Sequence, residues 1–114
     1  MAVQIVVDCR DAEVLARFWA EALGYSRSGG VGQYVSIRAA DGDGPKIIFQ
    51  QVDEPKTVKN RVHFDYSAPD IEAEANRVVS LGASRAPEGL IEEFGIKWIR
   101  MLDPEGNEFC IEQQ

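Results

Sequence analysis

Leu23-Gly24-Tyr25-Ser26-Arg27 and Leu81-Gly82-Ala83-Ser84-Arg85 share a Leu-Gly step and a Ser-Arg pair at the same offsets. Each closes a stretch that reads as a strand followed by a helix. In the first copy, Val3-Gln4-Ile5-Val6-Val7-Asp8 is β-branched and apolar, the pattern of a strand buried on at least one face. A helix follows. Asp11 is placed to cap it, Val14, Leu15, Phe18, Trp19, Ala22 and Leu23 recur at helical spacing, and Gly24 stands where a left-handed terminal residue is wanted. In the second copy Arg61 to Tyr66 reads as the strand, and Ser67 with Asp70 has the spacing of a capping box. Ile71, Ala75, Val78 and Leu81 mark the buried stripe, and Gly82 closes the helix as Gly24 closes the first.

Working outward, each helix is followed by a hairpin. Tyr34 to Arg38 and Lys46 to Val52 flank the turn Asp41-Gly42-Asp43-Gly44. Lys97 to Leu102 and Glu108 to Glu112 flank Asp103-Pro104-Glu105-Gly106-Asn107, whose Pro and Gly suit a tight reversal. The chain therefore reads as a duplicated strand-helix-hairpin unit. Module one covers about 1–52, a polar connector carrying Pro55 about 53–60, and module two about 61–114. The connector is read as a joint within one domain, because 114 residues suffice for one core and are too few for two ordinary domains. Each helix can cover only one face of its strands, so the other faces are expected to curl together around a small-molecule cleft.

Charge narrows the function classes. The 12 basic residues are outnumbered by 19 acidic ones, and a net charge of -7 repels phosphate backbones and anionic headgroups, so neither nucleic acid nor membrane is an expected partner. No stretch approaches the roughly 20 apolar residues of a spanning helix, and the start of the chain lacks a secretory pattern, which points to the cytoplasm. Cys9 and Cys110 have no close C-x-x-C spacing and are expected as reduced thiols.

Three stretches carry a resemblance: Phe18-Trp19 ahead of Leu23-Gly24, the run Glu54-Pro55-Lys56-Thr57-Val58-Lys59-Asn60-Arg61-Val62-His63, and Asp103-Pro104-Glu105-Gly106-Asn107-Glu108-Phe109-Cys110. They resemble the glyoxalase, bleomycin-resistance and dioxygenase (vicinal oxygen chelate) superfamily, and within it a narrower glyoxalase-like domain subgroup. The resemblance spans nearly the whole chain. It implies an α+β fold of two tandem βαβββ modules forming a cupped, barrel-like mixed sheet with helices on the outer face, commonly completed in a homodimer. Fold transfers more safely than function.

The resemblance also implies a comparison of metal ligands, because many relatives hold one divalent ion with a residue from the first and last strand of each module. Gln4 and His63 fall at two of the four positions and are types that some glyoxalases use there. Cys110 falls where those enzymes carry glutamate, and the corresponding place in module one holds Phe49 or Gln50, depending on register. Both carboxylates are missing. A hard divalent ion relies on carboxylate charge to offset its desolvation, and the same glutamates move the proton in glyoxalase I chemistry. The expectation is therefore no metal cofactor and no glyoxalase I activity, the alternative being zinc or another divalent ion on Cys110, His63 and Gln4 or Gln50.

The candidate pocket residues are Gln4, Gln50, His63, Trp98 and Cys110. His63, the only histidine, reads first as a hydrogen-bonded structural residue, yet Asp65 shares its strand face and the pair forms the candidate acid–base group. Glu108, Cys110 and Glu112 should share one face, with Phe109 and Ile111 packed under the helix. Without a clear basic neighbour Cys110 reads as a small buried hydrophobe. Glu108 is read either as satisfying backbone or basic groups near the turn or, in a shifted register, as facing the cleft. Phe18 and Trp19 read as core, whereas Trp98, between charged residues, reads as an aromatic pocket wall. Lys56, Lys59 and Arg61 make a basic spot that reads as solvated connector.

Two functions follow. The first is a metal-independent small-molecule binder resembling drug-sequestering resistance proteins. The alternative is a lyase or isomerase using His63 with a nearby carboxylate. A dimeric accessory domain without a ligand is a third class, marked by an apolar edge buried only in the dimer.

Overall fold

The computed structural model describes residues 3–114. The chain divides into two compact units, with the break between Lys56 and Thr57, inside the stretch read as connector.

The first unit runs β1 (Gln4–Cys9), α1 (Ala12–Leu23), β2 (Tyr25–Val31), β3 (Tyr34–Ala39) and β4 (Lys46–Gln51). Its mixed sheet has the order β1-β4-β3-β2, with β1 parallel to β4 and the other neighbours antiparallel. The second unit repeats this with β5 (Phe64–Ala68), α2 (Ile71–Leu81), β6 (Ser84–Glu93), β7 (Ile96–Leu102) and β8 (Glu108–Gln113), in the order β5-β8-β7-β6. The architecture is α+β, built from two βαβββ modules. The strand directly after each helix, β2 or β6, was not legible from the residues: β2 is exposed over nearly its whole length and carries Ser28-Gly29-Gly30, so it shows no apolar alternation.

Local chemistry explains both helices. The Asp11 carboxylate accepts from the Val14 amide at 3.1 Å, and Gly24 leaves α1 at φ 69°, a left-handed geometry that costs glycine little. Leu15, Phe18, Trp19 and Ala22 are buried against the sheet, while Val14, expected on that stripe, is exposed. The α2 cap is Asp70, which accepts from the Ala73 amide at 3.1 Å; Ser67, read as part of a capping box, instead lies in β5. A second device is repeated in both modules. A glutamine at the end of the last strand receives the first helical amide, Ala12 to Gln51 and Ile71 to Gln113, each at 3.3 Å. The strand after each helix returns an arginine to the first helical turn, Arg27 to Glu13 at 2.6 Å and Arg85 to Glu72 at 2.9 Å. The duplication thus extends to individual side-chain contacts.

Register decides which residues each sheet turns away from its helix. In the first unit Val35, Ile37, Ile47 and Phe49 are buried on the α1 side, leaving Gln4, Val6, Asp8, Lys46, Ile48 and Gln50 on the other face. In the second, Phe109, Ile111, Ile99 and Met101 are buried on the α2 side, with Tyr66 stacked on Phe109 at 6.4 Å. Asp65, Cys110, Arg100, Trp98 and Glu112 take the open face. No helix among the described residues is long and apolar enough to cross a membrane.

Candidate functional site

The open face of the second sheet carries a line of polar groups set by strand pairing. Asp65 on β5 lies opposite Cys110 on β8, and Cys110 lies opposite Arg100 on β7, so carboxylate, thiol and guanidinium sit on three adjacent strands. At one end His63, which precedes β5 rather than lying within it, meets Asp65 at 2.9 Å through Nδ1. At the other, Arg100 donates to Glu88 at 3.1 Å. His63 and Asp65 remain partly open to solvent, at 38% and 46% side-chain exposure, so a ligand atom could reach the pair. Cys110 is buried.

The environment of Cys110 differs from the reading that it lacks a basic neighbour, because Arg100 lies directly across from it on β7. Burial nevertheless dominates and pushes the thiol pKa up, the negative charge of Asp65 adds to this, and Arg100 opposes it. The thiol therefore stays protonated near neutral pH. That is the wrong state for a nucleophile.

Trp98 is half-buried on the same face, opposite Glu112 on one side and Ile91 on the other, one pair along from Arg100. Glu108 is not part of this set: it is buried, and its carboxylate accepts from the Asn60 amide at 3.0 and 3.3 Å, pinning the segment that leads into His63. Cys9 and Cys110 are free thiols. Phe18 and Trp19 are core residues in edge-to-face contact at 5.2 Å.

Gln4 and Gln50 belong to the first sheet. Both lie on its open face, but Gln4 pairs with Lys46 and Gln50 with Asp8, so they stand at opposite ends of β4, four residues or roughly 13 Å apart. Phe49 is fully buried toward α1. Neither Phe49 nor Gln50 is the counterpart of Cys110. Cys110 pairs with Asp65, two residues beyond His63; in the first unit Val6, two residues beyond Gln4, pairs with Ile48. Carried onto this register, the four ligand positions that the resemblance implies fall on Gln4, Ile48, His63 and Cys110. Isoleucine offers no donor atom, so this set lacks one ligand of the four-ligand site. A different trio, His63, Asp65 and Cys110, brings its donor atoms within 4.8 Å of one another. The neighbouring guanidinium puts positive charge beside it.

Arg100 and Glu88 were missed by the sequence reading. Period-two alternation from Trp98 puts Arg100 on the same face, but only register sets it against Cys110.

Two successive βαβββ modules, each a four-stranded mixed sheet with a helix packed on one face, define the class of fold. This chain belongs to the glyoxalase-like domain family, whose model matches residues 4–112. Among solved structures it is similar to a glyoxalase/bleomycin resistance protein/dioxygenase family enzyme from Burkholderia phytofirmans PsJN, at 13% identity and a TM-score of 0.75, covering 96% of this chain and 95% of that one. A glyoxalase-related enzyme from Fulvimarina pelagi is similar at 14% identity and a TM-score of 0.73, covering 100% and 89%. A glyoxalase/bleomycin resistance protein from Albidiferax ferrireducens T118 gives 17% and 0.69, covering 97% and 96%. At these identities the likeness establishes the fold. No curated protein sequence matches the chain.

Proposed function

We propose that the chain binds a small molecule without a divalent metal, as a homodimer, and that the open face of the second sheet holds the ligand. The observation that carries this reading is the registered line His63, Asp65, Cys110 and Arg100 beside the half-buried Trp98. It offers a charged acceptor, a neutral thiol, a charged donor and an aromatic surface within one sheet face, the mixture that orients a planar polar ligand. The relative described as a glyoxalase/bleomycin resistance protein supports a binding role. The metal-free part rests on Ile48 standing in place of a donor residue.

Thermal shift against a panel of aromatic and antibiotic-like compounds tests it. A ligand at 100 times its Kd adds about 2.7 kcal/mol to native stability. Trp98→Ala should weaken that ligand by at least tenfold, about 1.4 kcal/mol. A broad panel without any shift, or a hit indifferent to Trp98→Ala, removes the support. Stoichiometric zinc or nickel in protein purified without a metal-affinity tag, lost in His63→Ala, overturns the metal-free reading.

The 2.9 Å contact between His63 and Asp65 favours a second reading, a lyase or isomerase in which the carboxylate orients the imidazole for proton transfer. Turnover of a bound compound that disappears in His63→Ala while binding survives would select it.

A further inference from the structure

The first sheet carries a second polar row, independent of the reading above. β1 and β4 pair Gln4 with Lys46, and β2 and β3 pair Ser26 with Arg38. The β3–β4 pairing runs from Tyr34 opposite Gln50 to Ile37 opposite Ile47, and its next step brings Arg38 level with Lys46. Gln4, Lys46, Arg38 and Ser26 therefore form one row across all four strands, on the face turned away from α1.

Two features of the row are costly as they stand. Like charges directly opposite on neighbouring strands repel. The Arg38 Nε is buried and has no hydrogen-bond partner, and a desolvated donor left unpaired, especially on a charged group, is one of the expensive defects of a folded protein. Among the described residues no carboxylate pairs with either cation, although the chain holds 19 acidic residues against 12 basic ones. The next residues along the same face are Val6, Ile48 and Ser36, which supply no negative charge. By contrast Arg27, Arg77, Arg85 and Arg100 all find glutamates.

We propose that Arg38 and Lys46 are the centre of an oxyanion site that takes a compact, doubly charged head, a phosphate group in preference to a carboxylate. The guanidinium edge and the ammonium supply charge-assisted donors, an acceptor-only anion satisfies the orphaned Nε, and the Ser26 hydroxyl and Gln4 amide flank the same row. One anion thereby removes both costs.

The test is a titration of the 15N-labelled protein with inorganic phosphate, and separately with acetate, at constant ionic strength, followed by the backbone amides of residues 26, 38 and 46 and by the Arg38 Nε–H resonance. Saturable shifts confined to this row are expected, with phosphate binding more tightly than acetate. Arg38→Gln and Lys46→Gln should each weaken phosphate by about tenfold or more, and Arg38→Lys by less, because it keeps the charge and loses the fork. Arg27→Gln, which removes an exposed arginine outside the row, should leave phosphate affinity unchanged. In anion-poor buffer Lys46→Gln should melt higher than the parent chain, an advantage that vanishes at saturating phosphate. Unsaturable or scattered shifts with the parent chain, or affinity retained in both glutamine variants, overturn the site; acetate binding as tightly as phosphate overturns the stated preference.

Discussion

Tyr66 donates its hydroxyl hydrogen to Glu74 at 2.6 Å, and Arg77 closes on the same carboxylate at 2.7 and 2.9 Å. Burial, then the Glu74 hydrogen bond, pushes the phenol pKa up and keeps it protonated as a donor. The Arg77 hydrogen bonds, followed by that from Tyr66, outweigh burial and hold the Glu74 carboxyl below the usual carboxylate range. A depressed carboxylate stabilises the fold fully above its unfolded pKa, about 4.3, and loses that contribution as pH falls through the lower folded value. Glu74→Gln should therefore flatten the acid limb of a stability-against-pH curve measured by urea denaturation. Tyr66→Phe should cost about 1 to 2 kcal/mol near neutral pH. At this scale the sequence showed residue identity but not partnership. His63 and Asp65 were legible as a pair because they are two apart on one chain segment; Arg100 against Cys110 was not, because cross-strand neighbours are separated in sequence by a whole turn.

The turn between β7 and β8 shows what a motif does as an element. Asp103 is buried, and its carboxylate accepts from the amides of Glu105 and Asn107, both at 2.9 Å, and from the Asn107 side chain. The Asp-Pro-x-Gly-Asn pattern is thus a self-contained hydrogen-bonded cage, and its role is to set where β8 begins, hence which residues of β8 face away from α2. Asp103→Ala should strand these donors and cost about 2 to 3 kcal/mol in urea denaturation, with Cys110 becoming more accessible to alkylation as the register loosens. Helices were the best-read elements, since caps, stripe and terminal glycine all lie within one short window. β2 and β6 were the worst, because an exposed edge strand that packs few side chains has no reason to alternate.

At the scale of the molecule, charge and duplication govern behaviour. A net charge of -7 should keep the protein from retarding with duplex DNA in a mobility assay at about 50 mM salt, where attraction to polyanions is strongest. An oxyanion site confined to one row of one sheet is compatible with that, since a small anion feels the local pair of cations and a polymer feels the whole surface. By itself the sequence determined the duplicated plan, both helices, the hairpins, most of each buried stripe and the family, because each depends on residues close together along the chain. Only the tertiary structure decided that Ile48 is the counterpart of Cys110, that Phe49 turns inward and Gln50 outward, that Glu108 holds the connector, and that Arg38 lies opposite Ser26. Those outcomes depend on which strands lie side by side and in what register, and a shift of a single residue there would exchange the two faces of a strand.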